Sequence, residues 1–188
     1  MNRIRLVVVP LILVLCAAVG VAAQEEAAPT ATFTSDMLAN FGRTGEQLLS
    51  LAESTPADKF DWAPNDQVRT MSQVYMHVVG TNMLLPMALG AAPPDGLEVP
   101  EDGPFALLEK WEREVTAKDD VVARLKASFE YASVAVPAIT DLETEVNLFG
   151  FPGSKRAYLL ILLTHAHEHL GQSIAYARMN GVVPPWSS

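Results

Sequence analysis

The sequence predicts an all-α fold, a four-helix bundle with long crossover connections, and three observations predict it. Apolar residues recur every three or four positions over several long stretches. Two long proline- and glycine-rich segments, 90–104 and 137–153, separate those stretches. No βαβ alternation, internal repeat or strong strand pattern interrupts them, which leaves helix-on-helix packing as the way to bury the apolar faces.

The first residues stand apart from the fold. Arg3 and Arg5 make a short basic start, Leu6 to Val21 is apolar, and Val21-Ala22-Ala23 offers small residues for cleavage. That order is a signal-peptide pattern over 1–23 and predicts a secreted or periplasmic protein. A retained anchor is the alternative, although the apolar run is short for a membrane span. A lipoprotein site at Cys16 fits less well, because Leu15 stands where a small residue is expected. Cleavage would remove the single cysteine, and with it any thiol nucleophile or disulfide. The 13 basic residues, less Arg3 and Arg5, become 11 against 22 acidic ones, a net charge of −11. So acidic a chain is not a phosphate-backbone binder, and no nucleic-acid partner is expected. No stable membrane insertion is expected after cleavage. Residues 24–34 read as a flexible leader, and 35–188 as one bundle domain.

Helix one is expected from Ser35 to Ala52, capped by Thr34 or Ser35, with Met37, Phe41, Leu48 and Leu51 on its stripe. Thr55-Pro56 and Ala63-Pro64-Asn65-Asp66 break the pattern, and Phe60 and Trp62 are expected to plug one end of the bundle. Thr70-Met71-Ser72-Gln73 is a capping box for helix two, which reaches Leu85 or Leu89 with Pro86 as a kink or stop. A short helix with Trp111 covers 105–114. Thr116 is expected to cap the next helix, whose stripe is Val121, Val122, Leu125, Phe129, Ala132 and Val136; Lys118, Asp120, Arg124 and Lys126 form a solvated face. Residues 147–153 can hold short extended pieces. Ser154 caps the last helix, Lys155 to Asn180, with Gly181 at its end.

That last helix carries the chemistry. Three of the four histidines fall within His165-Ala166-His167-Glu168-His169. At about 100° per residue, His165 and His169 lie roughly 40° apart and one turn along, while His167 points away. Imidazoles at i and i+4 can close on one metal ion. Leu162, His165, His169, Gln172 or Ser173, and Tyr176 form a polar seam that a bundle core must satisfy with a metal, water or a hydrogen-bond network. The fourth histidine, His77, falls on the core-facing stripe of helix two with Val74, Thr81 and Leu84. Alone it reads as a hydrogen-bonded core residue. With the pair it completes a three-imidazole site with an open position, the catalytic rather than the structural zinc arrangement. The window also spells H-x-x-E-H, but the further acidic ligand that zinc-hydrolase pattern needs has little room in the 19 residues after His169. Glu168, at the edge of the seam, is either an acceptor or general base for the site or a surface residue. Gln172 and Tyr176 are the other candidate catalytic helpers.

Thr70 to Gly80, with His77, before a loop, and His165-x-x-x-His169-Leu170-Gly171-Gln172 much later, resemble the DinB superfamily. So do Lys59-Phe60-Asp61-Trp62-Ala63-Pro64 and the ending 177–185. This group of four-helix bundles is related to bacillithiol S-transferases and mycothiol-dependent maleylpyruvate isomerases. The resemblance spans about residues 35–186. It implies that His77, His165 and His169 hold a divalent metal ion, often zinc or nickel. It implies less about the reaction, and an exported chain lies away from the cytosolic thiols that the transferases use. Three functions follow as expectations: a metal-dependent hydrolase or transferase of an unknown small-molecule substrate; a non-catalytic metal- or ligand-binding bundle in envelope stress; or a metal-free interaction module. Bundles of this type often pair through helix faces, so a homodimer is also expected.

Overall fold

The computed structural model describes residues 31–101 and 103–187. The expected export segment, 1–23, and leader residues 24–30 lie outside the described residues. Among the described residues, five α-helices and a small hairpin follow in order: α1 (Phe33–Ser54), α2 (Met71–Ala88), α3 (Pro104–Glu114), α4 (Lys118–Ala135), β1 (Glu145–Leu148), β2 (Phe151–Ser154) and α5 (Lys155–Met179). The architecture is the expected all-α bundle. α1 packs on α4 and α5, and α2 packs on the same two helices. Consecutive helices α1 and α2 therefore stand at opposite corners, as do α4 and α5. α3 packs mainly on α2, and its Trp111 ring also meets Arg124 of α4. No described helix is long and apolar enough to cross a membrane.

Helix boundaries follow from local hydrogen bonds. α1 starts two residues before its expected position. Its cap is Thr32, not Thr34 or Ser35: the Thr32 hydroxyl accepts from Ser35 N–H at 3.1 Å, and the Ser35 hydroxyl accepts from Thr32 N–H at 2.8 Å. Serine at the third position thus closes a capping box normally closed by a longer side chain. α2 has the expected box between Thr70 and Gln73 and runs through Pro86 to Ala88, so the proline does not stop it. α4 departs from expectation. Its N-cap is Ala117 with no side-chain bond, and Thr116 does not cap it. Asp119 and Asp120 in its first turn oppose the positive helix end instead. Lys118 is not on a solvated face. Its ammonium donates to the Glu53 and Thr55 carbonyls at 2.7 and 2.8 Å, closing the C-terminal end of α1. α5 is capped by Ser154 and ends in a Schellman motif, in which Gly181 (φ 74°) donates to Arg178 and Val182 to Ala177.

The extended pieces expected within 147–153 form the β1–β2 hairpin, with Leu148 opposite Phe151 and Phe149-Gly150 as a two-residue turn. Both turn residues have positive φ, 59° and 85°. That suits glycine, whereas phenylalanine there carries a strain of about 1–2 kcal/mol. Tyr158 of α5 fixes the hairpin: its hydroxyl accepts from Leu148 N–H and reaches the Leu148 and Phe151 carbonyls.

Two apolar clusters fill the bundle. One gathers Leu48, Phe60, Tyr75, Trp111, Leu125 and Tyr176; the other gathers Met37, Phe41, Leu85, Val136, Leu159 and Leu162. Phe60 is buried as expected, and Trp62 is partly buried against the first cluster. The clusters meet on α5 between Ala166 and Leu170, where the histidines lie.

Candidate metal centre

α2 is apolar on nearly every face because α3, α4 and α5 surround it. Its His77 turns toward α5, where the i, i+4 spacing brings His165 and His169 onto one face. The ring centroids lie 4.9 Å apart for His77 and His165, 5.0 Å for His77 and His169, and 4.4 Å for His165 and His169. One ring nitrogen from each residue lies within 4.8 Å of the others. Residues separated by 88 positions thus converge on one point.

Hydrogen bonds set the tautomers. His77 Nδ1 lies 2.7 Å from Glu112 Oε1, and Arg69 Nε donates to Glu112 Oε2 at 2.8 Å. Burial alone would raise the Glu112 pKa, but the bonds from His77 and Arg69 outweigh it and hold the carboxyl below its ordinary value. An ionised carboxylate only accepts, so His77 carries its proton on Nδ1 and leaves Nε2 free. His169 Nδ1 faces Gln172 Oε1 at 2.8 Å, and the Gln172 amide donates to the Tyr176 hydroxyl at 3.1 Å. That places the His169 proton on Nδ1 as well. Tyr176 packs edge-on to Trp62 at 5.3 Å, which closes the chain of contacts. His165 has a buried Nδ1 without a hydrogen-bond partner, and its Nε2 lies 3.2 Å from His169 Nε2 and 3.4 Å from the Thr81 hydroxyl.

The donor set fits a divalent ion. Two nitrogens each about 2.0–2.1 Å from a tetrahedral zinc stand about 3.3 Å apart, and the His165–His169 pair is at 3.2 Å. Burial, and then the neighbouring His169 and His77, push the His165 pKa down to about 3. Burial likewise lowers His169. Both rings are therefore neutral near pH 7, the state that coordinates. Two Nδ1–H groups held by acceptors is the arrangement that orients metal-ligating imidazoles.

The remaining candidates divide. Gln172 and Tyr176 touch the centre through His169. Glu168 is exposed and makes no hydrogen bond to the three rings. His167 is exposed and meets Thr44 of α1 at 3.1 Å, on another side of α5. Glu112 and Arg69 were not foreseen. Nothing in the spacing of Glu112 singles it out among 22 acidic residues. A cavity of about 530 Å³ opens beside the centre, with Arg69, Gln73, Glu112 and Gln172 in its wall.

A family model described as the DinB superfamily matches residues 40–173. Comparison with curated proteins finds no match. Among solved structures, a DinB-like protein from Bacillus cereus is 17% identical with a TM-score of 0.64, covering 79% of this chain and 93% of its own. A DinB-like protein from Bacillus subtilis is 19% identical with a TM-score of 0.59, covering 78% and 92%. A conserved protein from Enterococcus faecalis is 17% identical with a TM-score of 0.59, covering 79% and 97%. At these identities the structures share the fold.

Proposed function

The chain belongs to the DinB superfamily, and on that premise we propose that it is an exported metal-dependent enzyme, a hydrolase or transferase of a small molecule. His77, His165 and His169 would hold the ion, with zinc or nickel as the metals suited to three imidazoles. The observation that carries this reading is the convergence of three ring nitrogens within 4.8 Å, with two Nδ1 protons fixed by Glu112 and Gln172. Three neutral ligands leave the ion's charge uncancelled. The chemistry such an ion supplies is polarisation of a carbonyl or phosphoryl oxygen and a lowered pKa for water.

The chain's own residues do the rest. Glu112, anchored by Arg69, orients His77. Gln172, held by Tyr176, orients His169. The Thr81 hydroxyl, 3.4 Å from His165 Nε2, is a polar contact for a group entering from that side. The cavity walled by Arg69, Gln73 and Gln172 can receive the polar part of a substrate. Glu168, exposed one residue before His169, stands where it could exchange protons only with a group at the rim. The apolar start and the small residues before Gln24 support export. Away from the reduced thiols of the cytosol, hydrolysis is favoured over thiol transfer.

The test uses the purified full chain, stripped with a chelator and reloaded with zinc or nickel. Esters, amides and thiol conjugates are then screened. Turnover that appears on reloading supports the enzyme. One tightly held ion per chain without turnover on any of these would leave the site as a non-catalytic metal centre, the envelope-stress alternative.

A further inference from the structure

A second cavity lies beyond Thr81, and nothing in the proposed chemistry yet uses it. It measures about 320 Å³, within the range of small-molecule sites. Leu84, Leu108 and Ile161 wall it from three helices, and Phe105, Phe149 and Phe151 close it from α3 and the hairpin. Among the described residues, no charged side chain lines it. Phe105 and Phe149 meet edge to face at 4.9 Å. Phe149 does so from a left-handed backbone position better suited to asparagine or glycine. The Tyr158 hydroxyl ties the hairpin down beneath them.

Its position relative to the imidazoles is set by helix periodicity. Thr81 follows His77 by one turn on α2, and Ile161 precedes His165 by one turn on α5. Both line the apolar cavity. In the other direction, Gln73 precedes His77 by one turn and Gln172 follows His169, and both line the polar cavity. One turn is about 5.4 Å. The groove between α2 and α5 therefore runs polar, imidazole, apolar.

We propose that the substrate is amphipathic: an uncharged acyl or alkyl chain fills the aromatic-walled cavity, the susceptible bond lies at the imidazoles, and the polar remainder occupies the Arg69–Gln73 side. This rests on the metal-centre reading. The apolar walls exclude a charged group, which would have no partner there. Thr81 both lines the cavity and stands 3.4 Å from His165 Nε2, so the cavity adjoins the centre across one side chain.

The test titrates the zinc-loaded full chain with hydroxamates from acetohydroxamate to octanohydroxamate, which share a zinc-binding head. In parallel, the metal-free chain is titrated with the uncharged dye N-phenyl-1-naphthylamine and challenged with octan-1-ol or ethanol. Affinity for hydroxamates should rise about fourfold per methylene until the cavity is full. Octan-1-ol, not ethanol, should displace the dye. Ile161, 48% exposed, can be enlarged without disturbing the core; Ile161→Trp should erase the chain-length gain and leave acetohydroxamate binding unchanged. Phe151→Ser should weaken the gain. Acetohydroxamate that binds with no gain from longer chains would overturn the proposal while the metal reading stands. Dye displacement by octan-1-ol without any hydroxamate binding would overturn the metal reading and the proposal with it, leaving the cavity as an apolar ligand site alone. A flat chain-length series together with loss of a dimer in Phe151→Ser would overturn the proposal and assign the aromatic face to a second copy of the chain.

Discussion

Replacing Glu112 by glutamine separates orientation of the ligands from their mere presence. The carboxylate is only 14% exposed and accepts two bonds, from His77 Nδ1 at 2.7 Å and Arg69 Nε at 2.8 Å. Glutamine has one acceptor oxygen for these two donors, so one donor must face an amide N–H₂ group. The negative charge that stabilises a cation behind His77 is also lost. Removal of such supporting acceptors weakens metal binding by about 10- to 100-fold, or about 1.4–2.7 kcal/mol. Competition with a chromophoric zinc chelator at neutral pH measures this directly. Glu168→Gln is the control: the side chain is exposed and bonds to none of the rings, so its zinc affinity should stay within about twofold of the parent protein. An unchanged affinity in Glu112→Gln, or an equal loss in both variants, would refute the assignment of Glu112 as the residue that orients His77.

Two further outcomes follow from packing and protonation. In the metal-free protein, His165 stays neutral because burial lowers its pKa to about 3, whereas the unfolded chain takes up that proton near the ordinary value. This ring's share of stability is intact above about pH 6.5 and falls as the pH drops, by about 2 kcal/mol at about pH 5. Denaturant titrations should show that loss, smaller in His165→Ala; an acid sensitivity identical in the variant would contradict it. Gly45→Ala should lower the melting temperature. The added Cβ would stand 2.6 Å from the Phe129 ring, and an overpacking penalty of about 1–3 kcal/mol exceeds the helix-propensity gain of about 1 kcal/mol. Stabilisation by this change would mean that α1 and α4 separate more easily than their packing indicates.

The bundle was legible because its signals are local. Thr70 and Gln73, Ser154, and Gly181 each sit within a few residues of the groups they satisfy. Errors arose where two signals were equally local or where the partner was distant. Thr32, Thr34 and Ser35 are all acceptable caps, and only the reciprocal Thr32–Ser35 bonds select one. Lys118 resembled its charged neighbours, yet its acceptors lie at the C-terminal end of α1, more than 60 residues earlier. The same divide runs through the site. His165, His169, Gln172 and Tyr176 share one helix face and could be found from their spacing. His77 needed only the additional fact that a core-facing polar group must be satisfied. Glu112 and Arg69 reach the centre through the packing of α3 on α2, and no periodicity within α3 encodes the ring it meets.

The most direct test is elemental analysis of the purified full chain beside His77→Ala, His165→Ala, His169→Ala and His167→Ala. The account predicts one divalent ion per chain in the parent and in His167→Ala, and loss of that ion in the other three. A parent chain without metal after expression with zinc and nickel supplied, or a His167→Ala variant that loses the ion as the others do, would contradict it.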